Sequence, residues 1–280
     1  MRKVYAFCYW RGIIVVRGFM NKKLNNALEV MIRNIVEILN ENILSIYIYG
    51  SCVLGDFKLG WSDIDILVLT KKSLSDNCAK KLLNLRQDLL KNDSKNKYYR
   101  SFEGAILSLN SFVNKSSEKI VYWGTKGESI KETYNLDSFS KKELLESAKL
   151  LYGSEVRIQF EMPTYNDLCQ DIYRHYKTIR EHAQKTGRNL YSYGWFLDIS
   201  RCIYTLKTGE IISKTKAGEW ALKNKLCPDV YALKMALKVR KKPVKYKHRT
   251  FIMDYAETLG NSVQKYADIL EKYLKHFNLI

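Results

Sequence analysis

No stretch of the chain approaches the roughly 18 consecutive apolar residues that a membrane-spanning helix requires. The start, residues 1–19, is basic and apolar, but Arg11 and Arg17 interrupt it and no small-residue cleavage site follows. We therefore predict no signal peptide, and expect a cytoplasmic protein that has no membrane partner. A chain of 280 residues is long enough for one or two domains.

The sequence also lacks Cys-x-x-Cys spacing. Its six cysteines are scattered, mostly within apolar patterns, at positions 8, 52, 78, 169, 202 and 227. We interpret them as reduced, mostly buried thiols, which argues against a zinc site or a disulfide framework. The four histidines show no pairing with acids that would indicate a metal site.

Acidic residues are scarce. The chain has 29 Asp and Glu against 47 Lys and Arg, a net charge of +18, which favours polyanionic partners or nucleoside triphosphates. The run from Lys234 to Arg249 contains eight cationic residues and no acid. Two interpretations of this run stay open: a solvated helix face, or a surface that contacts nucleic acid phosphates.

What the sequence does contain is a pair of acids in an alternating run. Asp63 and Asp65 are two residues apart, and such side chains point the same way in an extended strand. The apolar residues Ile64, Ile66 and Val68 should then enter the opposite, buried face. Two carboxylates this close repel each other unless a cation lies between them, and oxygen ligands favour Mg²⁺, which often brings substrate phosphates with it.

A tight turn precedes the acids. The apolar run 43–49 breaks at Gly50, which lets the backbone turn, and Ser51 should start a helix whose free N–H groups attract an anion. A connection with two further glycines leads to Ser62, directly before Asp63. Each feature alone is common in turns and strand ends, but the combination predicts a phosphate-binding turn coupled to a metal-binding strand.

This motif resembles the signature of the polymerase-β-like nucleotidyltransferases, in particular the small bacterial enzymes that adenylylate aminoglycoside and aminocyclitol antibiotics. The residues that carry the resemblance are Gly50-Ser51, Gly55 and Ser62-Asp63-Ile64-Asp65. The segment 196–222 resembles the helical domain of streptomycin/spectinomycin adenylyltransferases, with a Ser-Arg helix, a Thr-Gly turn and a Lys-bearing helix start. Together the two similarities extend over residues 24–228.

The resemblance implies roles for particular residues. Gly50, Ser51 and Ser62 would bind the nucleotide, and Arg201 and Lys214 match cations that contact the triphosphate. For Arg201, a cap or an ion pair within the helical domain is the structural alternative.

Two further acids lie in predicted strands. Glu103, in SFEGAILSL, is similar to the family's third metal-ligand position. Glu118, in SSEKIVYWG, lies near the position of the family's general base, although Ile120 occupies the aligned position. Because Glu118 and Ile120 are two apart, they would share a strand face. For each glutamate, a surface strand residue is the structural alternative.

One departure from the family concerns the acceptor. The relatives present acidic residues just before the Ser-Arg helix, whereas this chain has the uncharged segment 189–196, NLYSYGWF. Tyr191, Tyr193 and Trp195 could stack on a sugar or heterocycle, or belong to the helical core. Either way, the departure argues against ordinary streptomycin recognition.

The predicted fold is α+β: an N-terminal mixed-sheet nucleotidyltransferase domain, residues 1–155, then an all-α helical bundle, residues 156–280. Apolar periodicity predicts helices over 22–41, 71–91, 141–152, 167–185, 197–206, 213–225 and 254–277, and strands over 98–109 and 119–124.

We predict a nucleotidyltransferase that moves AMP from ATP to a hydroxyl of a small molecule. Asp63, Asp65 and Glu103 would hold Mg²⁺, and Glu118 would accept the proton. The alternatives are an RNA or protein acceptor, or a binding or antitoxin protein with a degenerate site.

Overall fold

The computed structural model describes residues 9–10, 13–14 and 21–280, the first four by their backbone alone. The prediction of no signal peptide and the interpretation of Cys8 lie outside these residues. Over residues 21–280, no helix is both long and apolar enough to cross a membrane.

The chain forms two compact units. Of the described residues, the first unit contains 9–10, 13–14, 21–53, 63–136 and 143–161, and the second contains 54–62, 137–142 and 162–280. The sequence predicted two contiguous domains that divide near residue 155. In the structure, the short segments 54–62 and 137–142 instead belong to the second unit.

A mixed eight-stranded sheet organises the first unit. The strands are β1 (Tyr9–Trp10), β2 (Ile13–Ile14), β3 (Ile43–Tyr49), β4 (Ile64–Thr70), β5 (Phe102–Ser108), β6 (Ile120–Gly124), β7 (Gly127–Lys131) and β8 (Lys149–Gly153). Their order in the sheet is β1-β2-β8-β3-β4-β5-β6-β7. Strands β4 and β5 are parallel, and the other neighbouring pairs are antiparallel.

Both faces of the central strands are buried. The predicted burial on one face of β4 is confirmed, since Ile64, Ile66 and Val68 are at most 2% exposed. The face that carries Asp65 is also buried farther along, where Leu67 and Leu69 pack in one core with other apolar residues of the unit. Asp65 therefore lies where the core on this face ends, near the start of β4.

The helices of the first unit are α1 (Lys22–Leu39), α2 (Asp76–Asn92) and α3 (Leu109–Asn114). The predicted helix over 22–41 is confirmed, and Asn21 caps it by accepting a hydrogen bond from the Leu24 N–H at 3.0 Å. The helix predicted from residue 71 begins five residues later because Ser75 caps it, accepting from the Cys78 N–H at 3.3 Å.

The helix predicted over 141–152 is wrong in its second half. Helix α4 (Ser138–Glu146) ends early, and the chain then forms β8, which pairs with β3. At Gly153, with φ +83°, an added Cβ would lie 2.0 Å from the Leu44 carbonyl oxygen. A glycine is therefore needed for this pairing, which the apolar pattern of residues 150–152 does not distinguish from a helix.

The second unit is helical, as predicted. Ser213 caps the helix that begins at Lys214, as expected. The helix predicted over 254–277 is divided in two before Gly260, whose added Cβ would lie 2.1 Å from the Gln184 carbonyl oxygen. The helices are α5 (Tyr165–His182), α6 (Gly194–Thr208), α7 (Lys214–Lys223), α8 (Val230–Lys241), α9 (Pro243–Tyr246), α10 (Thr250–Glu257) and α11 (Gly260–His276).

Arg86 joins α2 to the sheet. Arg86 is 4% exposed. Its guanidinium donates hydrogen bonds to the carbonyl oxygens of Phe102 at 2.6 Å and Gly124 at 3.1 Å, and forms an ion pair with Glu128 at 2.6 Å. We expect Arg86→Met to lower the free energy of unfolding by about 3–5 kcal/mol, because it leaves buried partners uncompensated. Urea unfolding measures this, and exposed Arg100→Met should change it by less than about 0.5 kcal/mol. Equal effects of the two substitutions would contradict the prediction.

Candidate functional site

Two of the predicted acids start neighbouring strands. Because β4 and β5 are parallel, both begin at the same edge of the sheet, and Asp65 pairs in register with Glu103. Asp63 lies two residues before Asp65, at the entry to β4. The sheet therefore brings Glu103 beside Asp65, although the two residues are 38 positions apart in the sequence.

Gly50 lies against the Asp65 carboxylate. Tyr49, at the end of β3, pairs with Asp65, and the chain then turns at Gly50 with φ +67°. A Cβ added at Gly50 would lie 2.2 Å from Asp65 Oδ2. Glycine is needed here for two reasons, the left-handed backbone and the close approach of a carboxylate.

The helix predicted to start at Ser51 is wrong. Residues Gly50–Cys52 form one turn of 3-10 helix, and the Ser51 hydroxyl donates to the Asp63 carbonyl oxygen at 3.4 Å instead of capping a helix. Cys52 in the same turn is buried, and burial, together with the charges of Asp65 and Asp63, raises the pKa of its thiol. A protonated, buried thiol fits a structural role.

Two hydroxyl groups hold the Glu103 carboxylate. Oε1 accepts from Tyr122 at 2.8 Å, and Oε2 accepts from Thr125 at 3.3 Å. Burial raises the pKa of Tyr122, and so do Glu103, Asp63 and Asp65. The phenol therefore stays protonated as a donor. A Cβ at Gly124 would lie 2.6 Å from the Tyr122 ring, so this glycine leaves room for it.

The donor chemistry of this edge fits a hard divalent cation. Asp63 and Asp65 supply the oxygen ligands that Mg²⁺ prefers, and a third carboxylate, Glu103, is in register beside them. Within residues 21–280, no three His, Cys, Asp or Glu side chains already converge in the arrangement of a metal site. The role of Glu103 as a third ligand stays a prediction.

Glu118 requires a correction, because the structure places it away from this edge. Its Oε1 accepts from the Ser108 N–H at 2.6 Å, and its Oε2 accepts from the hydroxyls of Ser108 at 2.8 Å and Ser73 at 2.5 Å. Ser108 ends β5 while Glu103 is near its start, and five residues of strand extend about 17 Å. Glu118 therefore holds the far ends of the strands, and its predicted role as general base does not agree with this geometry.

Ser62 uses its side chain within the connecting segment. It is 7% exposed, and its hydroxyl accepts from the Lys58 N–H at 3.0 Å. The Ser62 N–H donates in turn to the Lys58 carbonyl oxygen at 2.8 Å. These bonds close the loop just before Asp63, and a nucleotide contact by Ser62 stays a prediction.

The two predicted triphosphate-binding cations, both in the second unit, lie beside one acid. Lys214 Nζ is 2.7 Å from Asp198 Oδ1, and the Arg201 guanidinium lies 5.3 Å from the Phe139 ring centroid. Although burial acts the other way, Lys214 and Arg201 lower the pKa of Asp198. Asp198 lies three residues before Arg201 on α6, and this helical spacing is the sequence signal that could have indicated their proximity.

The aromatic segment 189–196 divides between the two alternatives. Tyr193 is fully buried and donates to the Ile252 carbonyl oxygen at 2.7 Å, and Trp195 packs against the same core. Tyr191 is 61% exposed, with its ring centroid 6.2 Å from that of Trp61. Tyr193 is thus a core residue, whereas Tyr191 is accessible for stacking.

Comparisons with known proteins agree with this fold. A family model described as a nucleotidyltransferase domain matches residues 31–122, and one described as the C-terminal domain of aminoglycoside adenylyltransferase matches residues 160–269. These matches identify the chain as a nucleotidyltransferase. Along both units it resembles the aminoglycoside adenylyltransferases.

Individual similar proteins are also adenylyltransferases. Spectinomycin 9-adenylyltransferases of Staphylococcus aureus strains Mu50 and N315 are each 22% identical over 215 residues, which are 73% of this chain and 80% of the relative. A crystal structure of spectinomycin adenyltransferase AAD(9) from Enterococcus faecialis with ATP and spectinomycin has a TM-score of 0.59 at 17% identity. The match covers 85% of this chain and 98% of that one, so the two proteins share a fold.

Proposed function

We propose that this enzyme transfers AMP from ATP to a hydroxyl of a small aminocyclitol or aminoglycoside-type antibiotic, with Mg²⁺ as cofactor. The observation that carries the proposal is the set of carboxylates Asp63, Asp65 and Glu103 beside the turn at Gly50. The solved neighbour with ATP and spectinomycin supports the choice of both substrates.

The proposed reaction is an in-line displacement at phosphorus. The acceptor oxygen bonds to the α-phosphorus of ATP, the bond from that phosphorus to the bridging oxygen breaks, and pyrophosphate leaves. Asp63 and Asp65 would hold Mg²⁺, which neutralises charge on the phosphates. Arg201 and Lys214 would bind the triphosphate and offset the same charge.

Glu103 is our proposed proton acceptor, because Glu118 bonds to the opposite end of the strands. We expect Glu103→Gln to lower kcat by about 10²–10⁴-fold, the usual contribution of a positioned general base. A third-ligand role predicts in addition that the variant needs a higher Mg²⁺ concentration for half-maximal activity, because it binds the ion more weakly. Steady-state kinetics against Mg²⁺ distinguish these roles.

Glu118→Gln is the matched control, with the same side-chain change at the other edge of the sheet. It should leave kcat within about threefold of the wild type, because its partners are the hydroxyls and N–H of serines. A large kcat loss in Glu118→Gln with full activity in Glu103→Gln would reverse the assignment.

Pyrophosphate release from labelled ATP tests the function as a whole. The enzyme is incubated with ATP, Mg²⁺ and a panel of aminoglycosides, aminocyclitols and lincosamides. We expect release that depends on an aminocyclitol acceptor, with streptomycin a poor one because segment 189–196 has no acid. Release that no small acceptor stimulates would refute the proposal.

An RNA or protein acceptor is the second candidate, favoured by the exposed lysines between residues 234 and 249. Part of that basic run is already engaged, since Arg240 pairs with Asp56 and Lys241 with Glu219 at 2.5 Å. An RNA acceptor predicts strongly salt-dependent RNA binding and retention on heparin. Absence of both would remove this candidate.

A further inference from the structure

Residues 54–62 connect the turn at Gly50 to the acids Asp63 and Asp65, and they belong to the second unit. We propose that Asp56 is a positioning residue for nucleotidyl transfer, which holds this segment and the first turn of α7 in one arrangement through Arg240 and Thr215. The inference rests on the function proposed above.

Asp56 forms a buried ion pair with a residue of the basic run. Its Oδ2 accepts from Arg240 Nη2 at 2.9 Å and from Nε at 3.3 Å, and its carbonyl oxygen accepts from Nη2 at 3.3 Å. Asp56 is 4% exposed and Arg240 is 3% exposed. Arg240 is therefore a structural partner of the segment, and its charge is not on the surface.

The same carboxylate also binds the start of α7. The Thr215 hydroxyl donates to Asp56 Oδ1 at 2.7 Å, and the Thr215 N–H donates to Oδ2 at 3.2 Å. A carboxylate is favourable at a helix N-terminus, where backbone N–H groups are unpaired. Thr215 directly follows Lys214, so Asp56 fixes the turn that carries a proposed triphosphate ligand.

The other end of the segment is held by the same arginine. The Arg240 guanidinium lies 5.6 Å from the ring centroid of Trp61, which is 7% exposed. Lys58 Nζ is 3.4 Å from Asp56 Oδ1, and the bonds between Lys58 and Ser62 close the loop. The last residue of this held segment, Ser62, directly precedes Asp63. The position of Asp63 matters because a displacement of about 1 Å at a reacting group can cost about 10²-fold in rate.

Stability alone is a weak explanation for this cluster. Buried ion pairs are often no more stabilising than well-packed apolar side chains, because desolvation offsets their attraction. A positioning role predicts instead that the contacts matter for the kinetics of the folded enzyme.

The test compares Asp56→Asn, Thr215→Val and Thr215→Ser in the full-length protein. We expect Asp56→Asn to lower kcat/KM for transfer by about 10–100-fold and to weaken ATP binding, measured by calorimetry with Mg²⁺. Thr215→Val should show a smaller loss of kcat/KM and of ATP affinity. Thr215→Ser, which keeps the hydroxyl, should match the wild type in both measurements. If Asp56→Asn does not fold, the comparison of Thr215→Val with Thr215→Ser tests the positioning role in its place.

Arg180→Met is the matched control within the second unit. Arg180 pairs with Asp268 at 2.6 Å and Glu271 at 2.7 Å, away from segment 54–62 in sequence. The Arg180→Met variant should have a lower Tm, while its kcat/KM at temperatures below Tm should equal that of the wild type. Wild-type kinetics and ATP affinity in both Asp56→Asn and Thr215→Val would overturn the inference, as would equal kinetic losses in Arg180→Met. An inactive wild type would instead refute the proposed function, and ATP affinity would still test Asp56.

Discussion

Gly50→Ala is expected to reduce nucleotidyl transfer by at least about a hundredfold while the chain still folds. The added Cβ would lie 2.2 Å from Asp65 Oδ2 and 2.9 Å from its Cγ, so the Asp65 side chain must move. The backbone at φ +67° adds a strain of about 1–2 kcal/mol for a residue with a Cβ. Steady-state pyrophosphate release and thermal unfolding, measured on the same preparation, check both parts.

Gly55→Ala is the control for backbone strain alone. Gly55 has nearly the same φ, +70°, but nothing lies within 4 Å of its added Cβ. The Gly55→Ala variant should lose about as much stability as Gly50→Ala and keep most of its nucleotidyl transfer activity. If the two alanine variants were equally active, the close approach between residue 50 and Asp65 would have no functional importance.

Asp63→Asn should abolish turnover and leave the fold intact. The amide keeps the shape of the side chain but removes the charge that attracts Mg²⁺, and we expect kcat to fall about a thousandfold, equivalent to ~4 kcal/mol. Circular dichroism and Tm would report the fold, and AMP transfer the activity.

The control for the amide substitution is Asp88→Asn, on the exposed face of α2, where the carboxylate forms a surface pair with Lys91. It should behave as the wild type in both measurements, because exposed ion pairs contribute little. Retained AMP transfer in Asp63→Asn would overturn the assignment of the acid pair to metal binding.

The prediction from sequence was most accurate where a feature depends on neighbouring residues. The alternation around Asp65 identified the buried residues of β4, and Ser213 marked the start of α7. The prediction was least accurate where the choice between helix and strand depended on hydrogen bonding to a distant strand. Residues 150–152 suit a helix or a strand equally, and only hydrogen bonding to β3 selects the strand.

The two glutamates show the same limit at the candidate site. Glu103 and Glu118 occupy similar apolar contexts in the sequence. Strand register separates them, because β5 runs parallel to β4 with Glu103 beside Asp65, while β6 is antiparallel to β5 and begins at its far end. A difference in strand direction, which no local pattern records, places Glu103 beside Asp65 and Glu118 at the far ends of the strands.

The sequence by itself determined the acid pair, the glycine turn before it and the division into a mixed-sheet part and a helical part. These features follow from periodicity and from backbone preferences over a few residues. Only the tertiary structure decided which glutamate joins Asp65, and that Asp56 meets Arg240, 184 residues away. The physical reason is that a buried charge takes its partner from the packing of the whole unit, and residues distant in sequence supply it.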